Sequence, residues 1–356
     1  MISERSFSKE WLMKVNQTLG WNRQEVQLKN LEKAVAALYL LECMTKERVD
    51  FIFKGGTSLL LLLGKIHRLS IDIDLILEKP VADPEKTFSD LCANSRLFTR
   101  TERQEREIDG VFGTEHYKFF YSPFADDNEE SYILLDLYHI ENPYARTIEV
   151  EIASDILKSN GENAYVRVPD VDSILGDKLT AFAPTTIGVS LSAEPGHRPK
   201  RIEVLKQLHD ISNLFDRATD INNIYQTYRT VANHEIEKFG LEITPDDVLR
   251  DSIHYAYIIG YGGKSEKEHY NSIAKGFKDF NKFVSDLSFD ESQAILAAAK
   301  TAYLAQVLLS NKNTFEKYSN AIDMSNWEIS DAAFVSFNDY KYSNPEAFFY
   351  WLKALS

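Results

Sequence analysis

The residues with the clearest chemical potential lie between Phe51 and Leu77, in FIFKGGTSLLLLLGKIHRLSIDIDLIL. Asp72 and Asp74 occupy alternate positions of an apolar run that reads as a strand from Ser70 to Leu77. At the strand period of two, Ile71, Ile73, Leu75 and Leu77 share one face and the two carboxylates share the other. Carboxylates held that close repel unless a cation sits between them, and hard oxygen donors suit Mg²⁺ or Mn²⁺. Upstream, Val49–Phe53 reads as a short buried strand running into Lys54-Gly55-Gly56-Thr57-Ser58, with Leu59–Leu63 as a helix behind it. Glycines let the backbone approach a phosphate. The free N–H groups of a helix start would face the anion, with Thr57 and Ser58 as caps or hydroxyl donors. A cation site beside a phosphate cradle is equipment for handling a nucleoside triphosphate (NTP).

A GG before leucines is by itself usually a turn, and Asp-x-Asp by itself a solvated strand edge. Here they come in order, with 15 residues between Gly56 and Asp72. Strand, GG turn, helix and Asp-x-Asp strand together resemble the nucleotidyltransferase superfamily that includes DNA polymerase beta. Gly55 and Gly56 match its G-[GS] element, and Asp72 and Asp74 its metal-binding pair. KGGTSL followed by Arg68-x-Ser70-x-Asp72-x-Asp74-Leu75 is similar to the AbiEii/AbiGii family, the toxin half of type IV toxin–antitoxin and phage-abortive systems. Asp177-Lys178-Leu179-x-Ala181-Phe182 is similar to that family's lysine helix, and Lys206-x-x-His209-Asp210-Ile211 to its downstream aspartate motif. The likeness runs from about Leu31 to Phe215.

The resemblance implies an α+β fold, with a polymerase-beta-like core of mixed sheet and flanking helices over residues 1–170. A helical domain over 171–356 follows and contributes Lys178 and Asp210 to the site. The implied reaction is Mg²⁺- (or Mn²⁺-) dependent transfer of a nucleoside monophosphate from an NTP to an acceptor hydroxyl, tRNA in the better-studied members. The implied partner is a cognate antitoxin, which need not form a tight complex. The superfamily also places a third carboxylate on a neighbouring strand, as metal ligand or as base. Asp136 is the single charge in Tyr132–Tyr138, YILLDLY, where a carboxylate is costly unless paired or bound to metal. Glu149 and Glu151, in TIEVEIA, compete for the role, although such alternation more often marks a half-exposed strand.

Lys178, near the start of a helix expected over Val171–Phe182, reads by itself as an exposed lysine; the family match implies that it binds phosphate as a point charge. Asp210 lies on the amphipathic helix Arg201–Phe215, near the border of the stripe Ile202, Leu205, Leu208, Ile211 and Leu214. It would orient Lys178 or a metal-bound water. Arg68 reads as a triphosphate contact or as a loop cation, and Lys54 is open in the same way.

Around these residues, 356 residues with 44% hydrophobic content can bury a large core in two domains. Amphipathic patterns recur at Arg201–Asp216, Ile221–Phe239, Pro245–Ile259, His269–Leu287, Asp290–Leu309 and Asn344–Leu355, with Thr186–Pro199 as a loop. Gly260–Ser265 ends like a P-loop, but Ile258 stands where the first glycine belongs and a turn is expected. Cys43 and Cys92 have no metal or redox spacing, no stretch reads as a signal peptide, and Leu59–Leu63 is too short to span a bilayer. A cytoplasmic protein away from membranes, with reduced thiols, is expected.

The net charge of −14 runs against an RNA acceptor, because phosphates call for Lys and Arg. Two basic clusters soften that objection: His197, Arg198, Lys200, Arg201 and Lys206 beside the proposed site, and Arg100, Arg103 and Arg106 among glutamates. The second reads as ordinary solvated surface. The acidic balance keeps open an enzyme that nucleotidylates a protein or a small molecule such as an antibiotic. A non-catalytic binding module is the third class.

Overall fold

The computed structural model describes residues 1–19, 25–104, 114–125, 130–191, 200–285 and 288–356. Two compact units divide the chain. The first comprises Met1–Asn142, Arg146–Asp170 and Lys282–Leu287; the second comprises Pro143–Ala145, Val171–Asn281 and Ser288–Ser356.

The first unit contains α1 (Lys9–Thr18), α2 (Glu25–Lys46), β1 (Ile52–Lys54), α3 (Gly55–Leu62), β2 (Ile73–Ile76), α4 (Pro84–Asn94), β3 (Phe98–Gln104), β4 (Thr114–Tyr121), β5 (Ser131–Tyr138), β6 (Thr147–Glu151) and β7 (Tyr165–Pro169). The strands form one seven-stranded mixed sheet in the order β3-β4-β5-β2-β1-β7-β6. The β2–β5 and β1–β7 pairs are parallel and the other pairs antiparallel. Odd-numbered residues of β2, β4 and β5, such as Leu75, Phe119, Ile133 and Leu135, join α1, α2 and α4 in one apolar core. The buried Glu32 of α2 is satisfied by the Tyr121 hydroxyl at 2.9 Å and the backbone N–H groups of Phe124 and Ala125. Buried carboxylates of this kind persist only when so paired.

Two details differ from the sequence reading. Strand β2 is shorter than Ser70–Leu77, so Asp72 lies just ahead of the ladder and is exposed. Ile76 is 0% exposed although it alternates with Leu75 and Leu77, so the end of β2 is buried on both faces while Asp74 keeps partial exposure. The second difference concerns His269–Leu287, which is not one helix. It forms α9 (Lys267–Ala274), breaks at Gly276, resumes as the single turn α10 (Phe277–Phe280), and then turns into an isolated antiparallel bridge between Val284 and Arg68. That bridging segment belongs to the first unit. Leu69 N donates to Phe283 O at 2.7 Å, Ser285 N donates to His67 O at 3.0 Å, and the Ser285 hydroxyl reaches the Ile66 carbonyl.

The second unit is helical: α5 (Val171–Ala181), α6 (Arg201–Phe215), α7 (Ile221–Phe239), α8 (Pro245–Gly260), α9, α10, α11 (Glu291–Leu309), α12 (Tyr340–Ser343) and α13 (Pro345–Ala354). Local chemistry sets the helix ends. Asp220 caps α7, Gly240 closes it at φ +61°, and Thr244 with Asp247 forms a reciprocal capping box on α8. Gly262 and Gly263, at φ +56° and +78°, make the turn expected after α8. Pro195, Gly196 and Pro199 of the expected loop lie outside the described residues. Among the described residues no helix is long and apolar enough to cross a membrane.

Candidate active site

The site begins where β1 turns into α3. Gly55 sits at φ +79°, and a Cβ there would collide with the carboxylate of Asp74. A Cβ on Gly56 would strike the Arg68 guanidinium and the Ser70 hydroxyl. The glycine pair therefore serves close approach: it lets Asp74 and a buried arginine pack directly against the main chain at the start of α3. The positive end of the helix dipole lies there as well, which favours a carboxylate or a phosphate.

Register then aligns four side-chain positions across four strands. Lys54 on β1 pairs with Asp74 on β2, Asp74 with Asp136 on β5, and Asp136 with His116 on β4. All four alternate with core residues and so share the face opposite the core. The Tyr138 hydroxyl donates to Asp74 Oδ1 at 3.3 Å, and Lys54 Nζ lies 4.9 Å from the centre of the Tyr138 ring. His116 Nδ1 lies 2.6 Å from Asp136 Oδ1. Like charges directly across a strand pair destabilise a sheet, so the Lys54 ammonium at one end of the row and the His116 hydrogen bond to Asp136 at the other offset the repulsion.

Other expected residues play different parts. The Thr57 and Ser58 side chains are buried and occupied internally: Thr57 donates to the Asp72 carbonyl at 2.6 Å and Ser58 to the Gly55 carbonyl at 2.8 Å. Neither hydroxyl is turned outward, and of the turn only Lys54, Gly55 and Gly56 keep partial exposure. Arg68 is 6% exposed and donates to the Leu69 carbonyl at 3.1 Å, so it braces the turn from within and is not a surface cation. Glu149 and Glu151 are exposed on edge strand β6, three positions from β2 in the sheet, while Asp136 is next to it.

Lys178 and Asp210 belong to the second unit, and Lys178 lies in the last turn of α5, not near its start as the sequence suggested. They form a buried ion pair, Nζ to Oδ2 at 3.0 Å, with the Gln207 side chain accepting from Nζ at 3.0 Å. Asp210 is 1% exposed, deeper than its place at the edge of the helical stripe implied. His209 packs edge-on against Phe280 and Phe289, as a core histidine does. Arg100 pairs with Glu130 and Glu102, and Arg103 with Glu115, which makes that surface mixed in charge. Arg106, His197 and Arg198 lie outside the described residues.

Sequence reasoning missed His116, Tyr138 and the returning segment 282–285. The alternation in HYKFFY places His116 on the polar face of β4, but its partner depends on strand register, which no local pattern encodes. As for a metal, Asp72, Asp74 and Asp136 offer hard oxygen donors. Among the described residues no three His, Cys, Asp or Glu side chains converge as a complete ligand set. That is compatible with Mg²⁺, which is usually held by one or two carboxylates and completed by substrate phosphates and water.

A mixed sheet with a glycine turn, a helix start and carboxylates on adjacent strands has the form of a nucleotidyltransferase core. The family model for the nucleotidyl transferase AbiEii toxin, type IV toxin–antitoxin system, matches residues 39–293. The chain belongs to that family. No curated protein matches it at a significant level.

Proposed function

We propose that this chain moves a nucleoside monophosphate from an NTP to an acceptor hydroxyl on RNA, tRNA in the first instance, with release of pyrophosphate. It would do so as the toxin of a type IV pair that arrests growth, including on phage infection. The observation that carries the reading is the placing of Asp74 and Asp136 abreast on adjacent strands, with Asp74 packed against the Gly55 turn. The N–H groups of Gly55 and Gly56, at the open start of α3, receive the β- and γ-phosphates, Thr57 and Ser58 brace the turn from within, and Arg68 acts by holding it. Asp72 and Asp74 would hold Mg²⁺, which supplies neutralisation of the charge building on the leaving pyrophosphate. Asp136 takes the proton of the attacking hydroxyl as its oxygen bonds to the α-phosphorus and the bond to pyrophosphate breaks in line. Positioning and electrostatics thus supply most of the catalysis. Lys178, oriented by Asp210 and Gln207, is assigned a part in the transfer on the strength of the family motif.

The net charge of −14 favours one second reading, a protein or small-molecule acceptor. Label transfer separates the two. The full chain is incubated with Mg²⁺, each α-³²P-labelled NTP in turn, and tRNA or cell-extract protein, beside Asp74→Asn. Label on tRNA from one NTP, lost in the variant, supports the first reading. Label on protein or on small molecules supports the second. No label on any acceptor sinks nucleotidyl transfer.

A further inference from the structure

The sequence motifs account for Lys54, Asp74 and, through the superfamily, Asp136, but not for the fourth member of the row. His116 stands opposite Asp136 on the antiparallel β4–β5 pair, so two well-hydrogen-bonded strands fix the spacing of the two residues. Its Nδ1 lies 2.6 Å from Asp136 Oδ1, and the side chains are 8% and 14% exposed. An ionised carboxylate only accepts hydrogen bonds, so the imidazole is the donor, through Nδ1–H. At this length the bond is charge-assisted and among the stronger kinds a side chain makes. It occupies one of the two oxygens of Asp136 and restricts rotation about the carboxylate's torsion.

That restriction bears on function. A general base contributes only when its oxygen is held within hydrogen-bond reach of the proton it removes, and small misplacements are costly. Asp136 has Asp74 beside it in register, whose negative charge pushes an unrestrained carboxylate away. A donor on the strand farther from Asp74 opposes that push.

We propose that His116 is a positioning residue for nucleotidyl transfer. Its Nδ1–H fixes one oxygen of Asp136, and the other oxygen accepts the proton of the acceptor hydroxyl. The proposal rests on the function proposed above.

Steady-state transfer by the full chain, compared for the parent, His116→Phe and His116→Asn, tests it. Phenylalanine keeps the ring volume without a donor, and asparagine can present an amide nitrogen near the Nδ1 position. The expected result is a loss in kcat of about 10- to 100-fold for His116→Phe, with KM for the NTP within about threefold of the parent and most of kcat restored in His116→Asn. A His116→Phe protein that turns over normally overturns the proposal. So does an equal loss in both variants when their melting temperatures match the parent's. The hydrogen bond is read separately in the unaltered chain by ¹⁵N-histidine NMR. A slowly exchanging downfield Nδ1 proton that disappears in Asp136→Ala is expected, and its absence overturns the proposal even if the His116 variants fail to fold. A parent that labels no acceptor sinks the functional reading and takes the positioning role with it. A parent that is active while His116→Phe is unimpaired sinks the positioning role alone.

Discussion

Asp74 and Asp136 face each other across one strand spacing, about 4.8 Å of sheet, and nothing in folding alone favours that arrangement. Asp74→Asn removes one of two adjacent like charges, so its melting temperature should equal or exceed the parent's, while label transfer should fall by roughly 100-fold or more. A melt and a transfer assay on one preparation check both halves; a variant that loses stability and keeps activity would contradict the assignment. Gly55→Ala combines a left-handed backbone with a Cβ directed at the Asp74 carboxylate. It should cost about 1–3 kcal/mol in denaturant unfolding and abolish transfer. Cys43 and Cys92 make a prediction away from the site. Burial pushes both thiols from an ordinary 9.0 to about 11, against a lowering hydrogen bond between Cys43 and Tyr39. Neither should be alkylated at neutral pH until the chain is unfolded. Folding holds these thiols protonated, so their contribution to stability is present below about pH 9 and fades as pH rises through about 11. At this scale the sequence was informative about residue type and less so about direction. It placed Asp74 and Asp136 in strands, and it could not show that Thr57 and Ser58 turn their hydroxyls inward or that Arg68 is buried. Those outcomes depend on what packs against them.

Elements whose residues carry a strong period were legible: α7 spans the bounds its pattern marked, and α6, α8, α11 and α13 fall within a residue or so of theirs. Apolar stripes with capping residues encode such helices locally. The bridging segment 282–285 was not legible, because a pairing this short leaves no periodicity and its partner lies more than 200 residues upstream. Ser285→Pro removes the N–H given to His67 and the hydroxyl given to Ile66. A loss of about 1–3 kcal/mol in thermal or denaturant unfolding is expected. Within the helical unit, α5 meets α7 at Gly176, where a Cβ would come within 2.5 Å of the Ile224 carbonyl oxygen and 2.9 Å of Tyr228 N. Gly176→Ala should destabilise by about 1–3 kcal/mol through overpacking against backbone, despite the better helix propensity of alanine.

At the scale of the molecule, family membership covers residues 39–293, and so includes the carboxylate row, the Lys178–Asp210 pair and the returning segment alike. If the chain acts as a toxin, its expression should slow growth while Asp74→Asn at equal protein level does not; equal toxicity from the variant would detach growth arrest from transfer. The acidic balance was plain in the composition, but which surfaces carry it follows from folding, as the Arg100 and Arg103 pairings illustrate. The return of Lys282–Leu287 to the first unit has a consequence for how this protein can be divided. A gene fragment that stops at Asp170 encodes every strand of the sheet and still leaves the backbone of His67 and Leu69 without its partners, beside the loop that carries Arg68. Recombination at a single junction therefore cannot transplant the sheet-bearing unit with all of its backbone pairings. Two crossovers, or a split gene supplying the six-residue piece separately, would be required.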